Sequence, residues 1–130
     1  MRSLRECGVF ALDIDDWSLA RKIERRMRGR FYGIKVHPKF FGKVSPQRIY
    51  AELLDMGFYV WDDDKLSDIP SIVARYARAA ARGGADLVSV HGGDTMDTLV
   101  AAVEAYRAVQ SASAERSRPS LDGAAHLPVA

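Results

Sequence analysis

Four carboxylates and one ammonium are crowded into Trp61-Asp62-Asp63-Asp64-Lys65-Leu66-Ser67-Asp68-Ile69-Pro70. The stretch follows an apolar run, Gly57-Phe58-Tyr59-Val60, and precedes a helix-like run from Ser71 to Arg82, so it falls where a strand gives way to a helix. Strand alternation sends Tyr59, Trp61, Asp63 and Lys65 to one face. A carboxylate and an ammonium then project together from the C-terminal end of a strand, where parallel α/β folds gather their chemistry. An ammonium held beside a reacting carbon can stabilise developing negative charge and then donate a proton. Asp13, Lys35 and His91 also stand at or near the ends of strand-like runs. Alternation groups Asp13 with Val9 and Ala11, Lys35 with Gly33, and His91 with Ser89. Asp13 or Lys35 alone reads as ordinary loop charge, and their joint appearance on matching strands argues for a shared site. Lys35, Asp63, Lys65 and Asp68 sum to zero charge. Opposite charges at ~4 Å attract by about 4 kcal/mol at an effective dielectric of roughly 20, so no metal is needed to hold them.

The elements that must position these groups alternate along the chain. Cys7 to Asp13 reads as strand one, and Asp15 or Asp16 can cap the helix after it. That helix, Trp17 to Arg30, has Leu19, Ile23 and Met27 as its buried stripe. Phe31 to Val36 is strand two, and Pro38 to Val44 is a loop. Ser45 caps a helix from Pro46 to Met56, with Pro46 at its first position and Ile49, Leu53 and Leu54 inward. Phe58 to Asp63 is strand three. Asp68 is suited to cap the helix from Ser71 to Arg82, whose inward residues are Ile72, Val73, Tyr76, Ala77 and Ala80. Ala85 to His91 is strand four, followed by a helix with Met96, Leu99, Val100, Val103 and Val109 as its stripe. The expected fold is therefore α/β, a (βα)4 half of a TIM-type barrel with parallel strands and right-handed crossovers. A complete barrel takes about 250 residues. Residues 1–110 are expected to form the half barrel. Residues 111–130, small, polar and broken by Pro and Gly, are expected to form a disordered or poorly packed tail.

With 48% hydrophobic and 28% charged residues, the 130-residue chain has the profile of a single globular domain. A net charge of +2 argues against a polyanion partner. The basic face of the first long helix (Arg21, Lys22, Arg25, Arg26, Arg28) lacks interleaved aromatics and reads as solvated exterior rather than a nucleic-acid surface. One cysteine, Cys7, makes a reducing, cytoplasmic setting the default expectation. Met1 to Glu6 has no signal-peptide core, and no apolar run approaches the ~20 residues of a membrane helix.

Asp63-Asp64-Lys65-Leu66-Ser67-Asp68-Ile69-Pro70 resembles the Asp-X-Lys-X-X-Asp-Ile-Pro signature of orotidine 5'-phosphate decarboxylases. The resemblance runs from Val9 to about Gly93 with the elements in order. It implies a cofactor-independent carboxy-lyase that converts orotidylate to uridylate in pyrimidine synthesis. It makes Lys65, Asp63, Asp68 and Lys35 the catalytic set, with Asp68 donated across a dimer interface. Asp13 would contact the ribose. Ile69 and His91 would lie on the substrate side, His91 as a packing or hydrogen-bonding residue rather than the catalytic acid. The implied partners are a nucleotide and a second copy of the chain or a second half-barrel chain.

The chain departs from the family pattern in three ways. Asp62 and Asp64 occupy positions that are usually apolar, and their alternation points them toward the helix layer, where unpaired carboxylates are costly. Ile72 stands where the family often has Thr. The later strands, with their phosphate-binding loops, have no counterpart in Ser111 to Ala130. Two alternatives follow. One is a magnesium-dependent aldolase resembling hexulose phosphate synthases, against which Ile69-Pro70 argues. The other is an inactive half-barrel acting as a dimerisation or regulatory module. Phe10, Tyr32, Tyr59 and Trp61 are the large residues from which the uncovered sheet face must draw.

Overall fold

The computed structural model describes residues 2–113. Its centre is a four-stranded sheet in the order β1 (Val9–Leu12), β2 (Gly33–Val36), β3 (Tyr59–Leu66), β4 (Leu87–Val90). All neighbours are parallel, with Val9 opposite Gly33, Gly33 opposite Tyr59 and Trp61 opposite Leu87. The helices are α1 (Leu4–Cys7), α2 (Trp17–Met27), α3 (Pro46–Asp55), α4 (Pro70–Gly83) and α5 (Met96–Ala112), and a 3-10 turn spans Pro38–Phe41. This is the (βα)4 half of a TIM-type barrel, preceded by a single helical turn at Leu4–Cys7 where strand one was expected to begin. Glu6 forms that turn by accepting from the Ser3 backbone N–H at 2.7 Å. Among the described residues no helix is long and apolar enough to cross a membrane. The expected tail lies, beyond residue 113, outside the described residues, and α5 runs on through Ser111 and Ala112.

Local chemistry explains the element starts. Asp16 accepts from Leu19 N–H at 3.0 Å and Ser45 from Arg48 N–H at 3.3 Å, capping α2 and α3. Thr95 does the same for α5 through Thr98 N–H. The cap position of α4 belongs to Ile69, and Pro70 opens the helix. Asp68 therefore does not cap α4; its Oδ1 instead accepts from the adjacent Ile69 N–H at 2.6 Å. Gly33 lies so close to β3 that an added Cβ would meet the Tyr59 carbonyl oxygen at 2.7 Å. Gly84, at φ 102, ends α4 in the left-handed region.

One sheet face is dry. Leu12, Ile34, Val36 and Val60 pack there against Ala20, Ile49, Tyr50, Leu53 and Phe41. Phe10 also turns to this side, packing on the core and against the Phe31 ring at 5.4 Å. The opposite face carries Val9 (39% exposed), Ala11, Tyr59, Trp61 and Leu87 (43% exposed). Tyr32 stacks on Tyr59 at 5.3 Å. Parallel sheets are ordinarily covered on both faces, and among the described residues this one is covered on one.

Three expected helix stripes are rotated. In α2 the core side is Ala20 and Glu24, flanked by Trp17, Ile23 and Met27, and Leu19 is exposed. In α4 it is Val73, Ala77, Ala80 and Ala81, and Tyr76 is exposed. In α5 it is Thr98, Ala102 and Ala105, leaving Met96, Val100 and Val103 outside. Alanines face alanines where α4 meets α5, because small side chains let two helices approach closely. The larger valines are displaced to the rim.

Glu24 is fully buried, with neither carboxylate oxygen hydrogen-bonded. Burial, helped by nearby Glu52, raises its pKa from 4.5 to about 7, with Arg21 and Arg25 pulling back. The unfolded chain releases this proton at lower pH than the folded one. Stability is therefore lost as pH rises between those two values, and the full penalty stands above them. Glu24→Gln should raise urea-unfolding stability by on the order of 1–3 kcal/mol at about pH 8 and change it little at about pH 4.

Candidate active site

The strand ends deliver their polar groups to one carboxylate. Asp63 Oδ2 accepts from Lys35 Nζ at 3.0 Å and from Lys65 Nζ at 2.7 Å. Asp13, one residue past β1, brings Oδ1 to 3.5 Å from the same Lys35 nitrogen. The Asp63 side chain is 7% exposed, that of Lys35 18% and that of Lys65 57%. The acid is thus the buried member of the cluster, and Lys65 and Asp13 (59% exposed) are its solvent-facing groups. Burial works to raise the Asp63 pKa, but donors from Lys65, Ser89 and Lys35 outweigh it and hold the carboxyl well below the usual range. The hydrogen bond to Asp63 raises the Lys35 pKa in turn, against desolvation. Both shifts stabilise the charged pair, which persists from the acid side of neutrality into the alkaline range.

Backbone geometry sets the direction of Lys65. The β3–β4 register slips between Asp62 and Leu66, and Lys65 sits at φ 50, the one non-glycine residue with positive φ among those described. Strand three was expected to end at Asp63; it continues to Leu66 through this irregularity. Simple alternation fails here, yet Lys65 still returns to Asp63.

On the helix side of β3 Asp62 finds partners, whereas Asp64 keeps a buried oxygen, Oδ1, without one. Asp62 is buried, its Oδ2 accepting from the Tyr50 hydroxyl at 2.5 Å and its Oδ1 from Asp64 N–H at 2.9 Å. Burial raises the Asp62 pKa despite these donors, and burial together with Asp62 raises that of Asp64. Lys39 Nζ donates to the Asp64 carbonyl at 2.9 Å, tying the 3-10 turn to β3.

The remaining expected residues make no recorded side-chain contact with this cluster. Asp68 is exposed and forms no ion pair with Lys65 or Lys35 of its own chain. Ile69 is 62% exposed. His91 is exposed beyond β4, its Nδ1 accepting from Gly93 N–H at 3.1 Å. Sequence reasoning passed over His37, whose Nε2 lies 3.3 Å from Asp13 Oδ1 and 3.6 Å from Asp63 Oδ2. The signal was available, since His37 shares the alternation of Gly33 and Lys35.

A parallel β/α half-barrel with an acid–base cluster at the carboxyl ends of its strands defines the class. The chain belongs to the orotidine 5'-phosphate decarboxylase / HUMPS family, whose model matches residues 9–121. It is 38% identical over 90 residues to an orotidine 5'-phosphate decarboxylase of Maridesulfovibrio salexigens, covering 68% of this chain and 39% of that one. A second such enzyme, of Moorella thermoacetica, is 32% identical over 111 residues, covering 85% and 43%. A crystal structure of an uncharacterized conserved protein from Geobacillus kaustophilus superposes with a TM-score of 0.72 at 32% identity, over 85% of this chain and 50% of that one. The chain thus spans about two-fifths of the length of these curated relatives.

Tyr50→Phe removes the hydroxyl donor from a buried carboxylate and leaves the ring packing intact. It should destabilise the fold by about 1–3 kcal/mol at neutral pH in chemical denaturation.

Proposed function

We propose that the chain is an orotidine 5'-phosphate decarboxylase-type carboxy-lyase, converting orotidylate to uridylate without a cofactor. The observation that carries this reading is the sharing of one buried Asp63 oxygen by the ammonium groups of Lys35 and Lys65. In the reaction the bond from C6 of the pyrimidine to the carboxylate breaks. Carbon dioxide leaves and the electron pair stays on C6. The Lys65 ammonium stabilises that carbanion and protonates it, and the resulting amine regains its proton from solvent. Lys35 holds Asp63, and Asp63 holds Lys65 in register. Asp13 receives the ribose, while Ile69 and His91 border the substrate.

The same reading includes assembly. Val9, Ala11 and Leu87 are exposed on the inward face, and Met96, Val100 and Val103 on α5. Exposed apolar surface of this kind marks an interface. A second copy or a second half-barrel chain would cover it and bring Asp68 of one chain to Lys65 of the other. A second reading is an inactive half-barrel that serves in dimerisation or regulation. A magnesium requirement for turnover of a sugar phosphate would instead favour the aldolase branch of the family.

Complementation of a uracil auxotroph, with orotidylate turnover measured on purified protein, tests the reading. Growth and uridylate formation are expected, and their absence would leave the inactive module. Lys65→Ala should abolish turnover with little loss of stability, because the side chain is half exposed at a strand end. Near-wild-type activity in that variant would sink the mechanism. If Asp68 acts in trans, mixing Lys65→Ala with Asp68→Ala chains should restore activity through dimers that hold one site with both residues intact. Continued inactivity of the mixture would count against it.

A further inference from the structure

His37 is fixed on three sides. Its ring stacks on Phe40 at 5.0 Å, with the planes 29° apart. The next residue, Pro38, is buried and opens the 3-10 turn, and Lys39 of the same turn is bonded to the Asp64 carbonyl. The side chain is only 13% exposed, and Nδ1 is buried without a hydrogen-bond partner. One ring edge is therefore closed off, and the other points Nε2 at two carboxylates on different strands. A neutral imidazole carries one N–H. Placed on Nε2 it faces Asp13 Oδ1 at 3.3 Å, with Asp63 Oδ2 further off at 3.6 Å, whereas on Nδ1 it would be buried and unmet.

Of these two carboxylates Asp63 is already held by two ammonium groups at 3.0 and 2.7 Å, and Asp13 is the one without a short partner. Its side chain is 59% exposed, and Lys35 reaches it at 3.5 Å while committed to Asp63 at 3.0 Å. His37 Nε2, at 3.3 Å, is the nearer of the two side-chain nitrogens that face it. We infer that His37 is a positioning residue: its Nε2–H holds the Asp13 carboxylate against the Asp63 pair, so that Asp13 meets a hydroxyl-bearing ligand in one fixed orientation. The ligand part of this inference rests on the decarboxylase reading above, with the ribose hydroxyls as the groups presented to Asp13. The hydrogen-bonding part stands on geometry alone.

The two parts are tested separately. In the free protein, long-range nitrogen–proton NMR of the imidazole should show the Nε2–H tautomer for His37, and Asp13→Asn should move its Nε2 resonance. An Nδ1–H tautomer, or a resonance indifferent to Asp13→Asn, would overturn the proposal whether or not the chain turns over orotidylate. With turnover in hand, His37→Ala should raise KM for orotidylate about tenfold, the order expected for loss of a hydrogen bond to a charged group, with a smaller fall in kcat. It should also narrow the preference for uridylate over 2'-deoxyuridylate as inhibitors. His37→Gln, which keeps an N–H near the Nε2 position, should recover much of the loss. A fall confined to kcat, an unchanged preference between the two inhibitors, or full additivity of His37→Ala with Asp13→Ala would show that His37 does not act through Asp13. Absence of turnover in the wild-type chain would instead defeat the decarboxylase reading and leave the NMR result to decide the hydrogen bond.

Discussion

The site depends on one buried carboxylate oxygen. Asp63 Oδ2 lies in an almost dry position and accepts from two ammonium groups that arrive from different strands. A carboxylate taken out of water without partners is strongly destabilising, and two like-charged lysines would repel each other without the acid between them. The buried acid therefore requires its donors, and Lys35, 18% exposed against 57% for Lys65, is the more deeply committed of the two. Lys35 is drawn down from β2 and Lys65 is turned back out of the bulge in β3. Asp13 is recruited from β1 through the same Lys35 nitrogen. A preorganised array of this kind suits chemistry in which negative charge appears on a carbon, because the positive charge is in place before the reaction begins.

A second constraint acts on the whole chain. The helix layer covers one face of the sheet, and the residues on the other face, Val9, Ala11 and Leu87, run directly up to the acid–base cluster. Core completion and site completion are therefore contiguous in space. A polypeptide closing the barrel would dry the apolar face and wall the ligand site in one event. Val103 of α5 lines a shallow cavity with Leu87, Val88 and Val90 and extends that surface around the β4 edge.

The helix side of β3 shows how a departure from the family pattern is accommodated. Asp62 and Asp64 occupy positions where apolar residues would simply pack. The Tyr50 hydroxyl and the Asp64 N–H satisfy Asp62, whereas Lys39 bonds only the Asp64 backbone carbonyl and the Asp64 carboxylate keeps a buried oxygen, Oδ1, without a partner. These bonds tie α3 and the 3-10 turn to the strand segment that carries Asp63 and Lys65. The donors to Asp62 offset part of its desolvation and fix its geometry, and burial still raises its pKa.

Sequence alone determined what depends on periodicity and on local chemistry. Alternation placed Asp13, Lys35 and Asp63 at strand ends with a common direction. Asp16, Ser45 and Pro46 announced helix starts, and the Asp-X-Lys-X-X-Asp-Ile-Pro string pointed to the family. Alternation extended by two residues past Lys35 would have reached His37 as well. Only the tertiary structure decided which neighbour each side chain meets. Asp68 looked like a cap, but the chain path gave that position to Ile69. Leu19, Tyr76 and Val103 looked buried, but close approach of neighbouring elements favoured alanines and turned the larger residues out. Asp62 looked stranded, and a tyrosine twelve residues earlier satisfies it. Periodicity fixes a direction relative to one element. Burial, pairing and pKa depend on what another element brings to that direction, and that is settled only when the elements pack.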